Sequence, residues 1–268
     1  MSRYRAMFDR LAERGEGAFG AFLMVGDPDL EASARLLDAA VAGGADMIEV
    51  GIPFSDPVAD GPVIQAAAKR ALKGGTKVSD CFALLRAFRS RKPDIPLGIL
   101  TYANLVLARG VDRYCAAAGE AGVDSLLIAD VPSIEAEPFA AAARCAGLDL
   151  VMIAAPNTPP AALARIARLA SGYTYCVARA GVTGVGERLA LDHGRLFDAL
   201  RRLGAPPPVL GFGISTPAQV AEALEAGAAG VISGSAIVRL IAEGSGPEAR
   251  VMQFVAAMKQ ATQPASAG

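Results

Sequence analysis

The sequence is poor in the residues that bind metals or carry covalent catalysis. It has one histidine, His193, and four cysteines, Cys81, Cys115, Cys145 and Cys176, which lie far apart with no CxxC pair. One imidazole and scattered thiols leave no zinc site of the usual spacing. The cysteines are expected to be reduced structural thiols. His193, near the start of a helical pattern, reads as a surface or capping residue. The lysines are Lys69, Lys73, Lys77, Lys92 and Lys259. None falls at the C-terminal end of an expected strand, which argues against a Schiff-base mechanism. No GxGxxG follows the first strand, which argues against a nicotinamide cofactor. No uninterrupted apolar run approaches the ~20 residues of a membrane span. The N-terminus, Met1-Ser2-Arg3-Tyr4-Arg5, leads into a charged helix rather than a signal peptide. The expected compartment is the cytoplasm, with no membrane partner. The net charge of −1 and pI near 5.9 give no general attraction to nucleic acid. Any anion bound here must be held locally.

What is present is a large apolar core. The 268 residues are 53% hydrophobic and 20% charged, as in a soluble globular enzyme. Three segments repeat one pattern. Ala42-Gly43-Gly44-Ala45-Asp46 precedes Met47-Ile48-Glu49-Val50, Ala121-Gly122-Val123-Asp124 precedes Ser125-Leu126-Leu127-Ile128, and Ala226-Gly227-Ala228-Ala229 precedes Gly230-Val231-Ile232. In each, an Ala-rich helix ends at Gly, which takes the left-handed conformation, and a buried parallel strand follows. Repeated helix–Gly–strand units mean βα units in series. Extending the pattern gives eight strands, centred near Phe22, Ile48, Gly98, Leu127, Val151, Tyr175, Leu210 and Ile232. Helices are expected between them, at Leu30–Ala42, Cys81–Arg91, Val111–Ala121, Ile134–Ala146, Pro160–Ala170, Asp192–Leu203 and Thr216–Ala226. An extra helix over Arg3–Glu13 leads, a last one covers Pro247–Ala261, and a loose tail, Thr262–Gly268, ends the chain. The expectation is a single (β/α)₈ TIM barrel over residues 1–268, with a doubly wound sheet as the alternative.

Barrel chemistry sits at the C-terminal ends of the strands. In the second strand Ile48, Val50 and Ile52 form the apolar set that belongs against the helices. Alternation then turns Met47, Glu49 and Gly51 into the barrel. A glutamate there loses hydration, so its pKa should rise toward the range useful for giving and taking a proton. The competing reading is a buried Glu paired with Arg, for which only Arg179 stands at a neighbouring strand end. The following loop, Pro53–Pro62, adds Asp56 and Asp60 at the mouth; Asp60 could instead be a helix N-cap. Late in the chain three Gly-rich segments follow strands six, seven and eight: Arg179–Gly186, Gly211–Ser215 and Ser233–Ile237. Together they read as a phosphate site, because glycines and a helix N-terminus present backbone N–H groups to an anion. The first is also long enough to act as a lid over residues 179–188. What remains is metal-free acid–base chemistry by carboxylates on a phosphorylated substrate.

The segments Gly51-Ile52-Pro53-Phe54-Ser55-Asp56-Pro57, Ala59-Asp60-Gly61-Pro62, Tyr102-Ala103-Asn104, Asp130-Val131-Pro132, Arg179–Gly184, Gly211–Ser215 and Ser233–Val238 resemble the tryptophan synthase alpha chain, from Tyr4 to about the last helix. The resemblance implies a lyase that cleaves indole-3-glycerol phosphate to indole and glyceraldehyde 3-phosphate. It implies Glu49 as general acid–base and Asp60 as acceptor of the indole N–H. It maps the phosphate site to Gly184, Gly213, Gly234 and Ser235, and the indole pocket to Phe22, Leu100, Leu127, Ala129, Ile153, Tyr175, Phe212 and Ile232. Thr183 would close the lid over Asp60. It also implies an alpha2–beta2 heterotetramer with a beta chain, docked through the Pro53–Asp60 loop and the region of Asn104. Pyridoxal phosphate would belong to that beta chain, with no cofactor here. Met24 and Thr101 depart from the family's common residues and are expected near the pocket edge. Three readings compete: a stand-alone indole-3-glycerol phosphate lyase, a sugar-phosphate isomerase or epimerase, and a non-catalytic activating subunit. Turnover with and without a beta chain separates the first from the partner-dependent enzyme.

Overall fold

The computed structural model describes residues 2–177, 193–211, 213–243 and 246–264. Eight parallel strands pair in sequence order and close into a barrel. They are β1 (Ala18–Met24), β2 (Met47–Gly51), β3 (Leu97–Thr101), β4 (Ser125–Ile128), β5 (Asp149–Ala154), β6 (Thr174–Cys176), β7 (Pro208–Leu210) and β8 (Gly230–Ser233). Every expected strand centre lies in its strand, and the closed barrel displaces the doubly wound alternative.

The helices are α1 (Arg3–Glu13), α2 (Leu30–Ala42), α3 (Pro62–Lys73), α4 (Val78–Arg91), α5 (Ala103–Leu107), α6 (Val111–Glu120), α7 (Glu137–Cys145), α8 (Pro160–Leu169), α9 (His193–Arg202), α10 (Pro217–Glu225), α11 (Ser235–Ala242) and α12 (Pro247–Gln260). The Gly of each repeat takes the left-handed conformation, with φ of +97° at Gly44, +78° at Gly122 and +101° at Gly227. The aspartate that follows in two repeats has a job at the barrel floor. Asp46 accepts the Phe19 N–H of β1 at 2.8 Å, and Asp124 accepts the Leu97 N–H of β3 at 2.8 Å. Each thus ties its own strand to the preceding one. Lys259 holds Asp46 at 3.0 Å, while Arg89 and Arg3 hold Asp124 at 2.6 and 2.7 Å.

Two apolar layers result. Ile48, Val50 and Ile52 join Ile99, Leu126 and the inward faces of α2, α4 and α6. Met47, Phe22, Leu127, Val151, Tyr173, Tyr175, Val209 and Ile232 fill the barrel itself. The alternation expected for β2 is therefore the alternation observed.

Three expectations need correction. His193 is not on the surface. It is 1% exposed, because it shares the buried face of α9 with Phe197, whose ring lies 5.7 Å from the imidazole. The tail does not loosen at Thr262. That residue is buried and its carbonyl accepts the Gly17 N–H at 3.0 Å, while residues 265–268 lie outside the described part. Thr101 does not reach the pocket edge. It shares the outward parity of Leu97 and Ile99 and takes a 3.4 Å hydrogen bond from Tyr114 of α6. The five-residue α5 was not expected, since it is too short to show a helical period.

Candidate active site

Glu49 lies at the centre of β2, opposite Phe22 of β1 and Gly98 of β3. It is 2% exposed. Its partner among the described residues is a tyrosine: the Tyr173 hydroxyl donates to Oε1 at 2.8 Å, while Arg179, the arginine of the competing reading, lies outside them. Oε2 has no hydrogen-bond partner among the described residues. Burial pushes the carboxyl pKa up to about 7, against the Tyr173 hydrogen bond, which favours the ionised form; the charge of Asp60 adds to the rise. A group of this kind can hold or release a proton near neutrality.

Asp60 is also buried. It is not the helix cap: Gly61 occupies that position ahead of Pro62, without a side-chain capping bond. The Asp60 carboxylate is freed for the barrel mouth and is held by the Tyr102 hydroxyl. Burial raises its pKa to about 6, against that hydrogen bond. Tyr102 also accepts the Ala59 N–H at 3.2 Å and stacks on Phe54 at 5.4 Å. One side chain at the start of α5 thereby fixes both the β2–α3 loop and its carboxylate.

Seven of the eight residues expected in an indole pocket share one apolar layer of the barrel, and the eighth, Phe212, lies outside the described residues. Phe22, Leu127, Tyr175 and Ile232 belong to the apolar fill of the barrel, with Leu100, Ala129 and Ile153 packed against it. Met24 belongs to the same layer, opposite Gly51, and its thioether occupies the space a side chain there would need. Tyr175 is locked in turn. Its hydroxyl donates to the Gly211 carbonyl at 2.6 Å, and a Cβ at Gly211 would overlap its ring. Only glycine fits at that strand end.

The late glycines follow β7 and β8, and β8 pairs with β1 beside β2. Gly213 has φ +75° with open space where a side chain would stand. Gly234 is the N-cap of α11 and lies over Phe22, with Ser235 as the first helical residue. The Ser233 hydroxyl donates to the Ile214 carbonyl at 2.7 Å, tying the two loops together. The leading N–H groups of a helix have no partner within it, so this end can receive an anion. Thr183, Gly184, Phe212 and Arg179 lie outside the described residues. Among those described, no group of three His, Cys, Asp or Glu is placed to hold a metal ion.

Sequence reasoning singled out neither Tyr173 nor the role of Tyr102. A signal existed for the first: Tyr173 shares the inward parity of Tyr175, two residues ahead of it. Tyr102 gave none, because its partner is fixed by a loop of irregular backbone.

A sequence model of the tryptophan synthase alpha chain matches residues 8–266. The chain belongs to the tryptophan synthase alpha chain family. The alpha chain of Aeromonas hydrophila is 50% identical over 98% of this chain and 99% of its own length. That of Cronobacter sakazakii is 50% identical over 99% of this chain and 100% of its own. Among solved structures, tryptophan synthase of Mycobacterium tuberculosis superposes with a TM-score of 0.90 at 32% identity, covering 98% of this chain and 99% of the other. The tryptophan synthase alpha chain family consists of carbon–carbon lyases of tryptophan biosynthesis, and this chain is one of them.

Proposed function

We propose that the chain cleaves indole-3-glycerol phosphate by a retro-aldol reaction in which Glu49 moves the protons. The observation that carries this reading is Glu49 itself, buried, raised to about 7, and with Oε2 free of any hydrogen-bond partner among the described residues. The indole ring lies among Phe22, Leu100, Leu127, Ala129, Ile153, Tyr175, Phe212 and Ile232. Glu49 protonates the ring carbon that bears the side chain and takes the proton of the adjacent hydroxyl. The carbon–carbon bond then breaks, releasing indole and the aldehyde. Asp60 accepts the indole N–H and balances the positive charge that grows on the ring. That charge appears only during reaction, so the interaction lowers the barrier rather than tightening substrate binding. Gly184, Gly213, Gly234 and Ser235 hold the phosphate by backbone N–H groups and the α11 dipole, and Thr183 closes over Asp60.

The enzyme works in an alpha2–beta2 assembly with a beta chain that carries the pyridoxal phosphate. Val58 in the β2–α3 loop, next to the Ala59 that Tyr102 holds, and Leu107 at the end of α5 are exposed apolar side chains, 72% and 55% accessible. A beta chain seated on this loop and on Asn104 therefore presses on the same tyrosine that holds Asp60. The setting is the cytoplasm; no helix among the described residues is long and apolar enough to cross a membrane.

A crystal soaked with a non-cleavable phosphate-bearing substrate analogue tests the placement. The phosphate is expected at Gly213, Gly234 and Ser235 with the ring against Phe22. A phosphate seated elsewhere on the barrel refutes the assignment.

A further inference from the structure

The layer beneath Glu49 is polar, where barrels ordinarily stack branched aliphatic side chains. Tyr4 of α1 enters the barrel floor and is 1% exposed. Its hydroxyl lies 2.8 Å from Ser125 Oγ on β4. Gly98, the register partner of Glu49, makes room for it: a Cβ there would stand 2.9 Å from the Tyr4 hydroxyl oxygen and 2.6 Å from Ser125 Oγ. The Tyr4 ring packs on the Tyr173 ring, with centroids 5.2 Å apart and planes at 55°. Tyr173, just ahead of β6, is the residue that donates to Glu49. Contact therefore runs unbroken from α1 through Tyr4 and Tyr173 to the Glu49 carboxyl.

The helix α1 is not one of the eight βα units, and the strands close without it. An aliphatic plug would seal the floor equally well. A tyrosine with a buried, partnered hydroxyl instead fixes one ring in one place, since losing that partner would leave a buried polar atom unsatisfied. We infer that Tyr4 is a positioning residue for the cleavage: the N-terminal helix, through the Tyr4 ring, holds Tyr173 where it can donate to Glu49. This inference rests on the assignment of Glu49 as the acid–base. Among the described residues, the groups facing Glu49 are Tyr173 and Tyr175 from the β6 segment, Tyr4 from α1 and Asp60 from the β2–α3 loop. The charges of Asp124 and Asp149 also act on Tyr4.

The test is the pH profile of kcat for indole-3-glycerol phosphate, with the beta chain in excess. Tyr173→Phe, which deletes the donor, moves the Glu49 limb to higher pH by about half to one unit. Tyr4→Leu is expected to move it the same way and to lower kcat about tenfold with KM within about twofold. Tyr4→Phe, which keeps the ring, returns most of both. Met7→Ala removes another buried side chain of α1 and controls for lost stability; its limb stays in place. If Tyr4→Leu does not fold, Ser125→Ala carries the test, with a smaller shift in the same direction. A limb unmoved in Tyr4→Leu, or in Ser125→Ala where that variant stands in, overturns the inference. Undiminished cleavage by Glu49→Gln would instead overturn the assignment on which it rests.

Discussion

Glu49→Gln should lower kcat for indole-3-glycerol phosphate by roughly 10²–10⁴-fold, the range for loss of a general acid–base, while KM changes little. The amide is nearly isosteric and can still accept the Tyr173 hydrogen bond, so the pocket is preserved and only proton transfer is lost. A steady-state assay of indole release with the beta chain present reads this directly. The same change should make the protein more stable at alkaline pH. Folded Glu49 keeps its proton up to about 7, against 4.5 for the free carboxyl. Between those values the unfolded chain gives up a proton that the folded chain retains. Raising the pH through this window therefore favours unfolding, and above it the folded state carries the full penalty. At ~1.4 kcal/mol per pKa unit the penalty is about 3 kcal/mol. Glutamine does not pay it. The variant should melt higher than the native chain at pH 8, and the advantage should fade below pH 4.5. Loss of activity together with gain of stability would mark a side chain kept for chemistry.

Asp60→Asn should lower kcat by about 10²–10³-fold, as for removal of one preorganised electrostatic partner of a transition state. Asparagine can still accept the indole N–H through its carbonyl oxygen. It cannot balance a positive charge, so KM should rise by no more than about fivefold. A second consequence separates this role from packing. Native activity should fall as the pH drops through about 6, because Asp60 is then protonated and neutral. That limb should vanish in the variant. The Glu49 limb should move to lower pH at the same time, since the Asp60 charge helps to raise the Glu49 pKa. Profiles of kcat against pH for the two proteins decide the matter. A variant with native kcat, or with a native acid limb, would remove Asp60 from the reaction.

The barrel was legible because its signals are local and repeated. Ala-rich helix, Gly and short apolar strand recur, and the glycines take the left-handed φ that the pattern requires. The direction of Glu49 was legible for the same reason, since β2 alternates strictly and Ile48, Val50 and Ile52 are uniformly apolar. What escaped depends on contacts far apart in the chain. Tyr173 meets Glu49 across 124 positions, and Tyr4 meets Ser125 across 121. No period or spacing encodes such pairs. His193 was misplaced because a lone polar residue at a helix start looks solvated, whereas the helix face it shares with Phe197 buries it. Thr101 was misplaced because its position near a strand end was weighed and its parity was not. The carboxylate roles came from family resemblance rather than from spacing. The geometry adds a cause for each: a tyrosine that holds each acid and burial that raises both pKa values.

The most direct measurement is the titration of the Glu49 carboxyl itself, followed by ¹³C NMR of selectively labelled protein with Glu49→Gln identifying the resonance. The midpoint is expected near 7, and Tyr173→Phe should raise it further. A midpoint close to the ordinary 4.5, unchanged by Tyr173→Phe, would show a hydrated carboxylate and contradict a proton-carrying Glu49 inside the barrel.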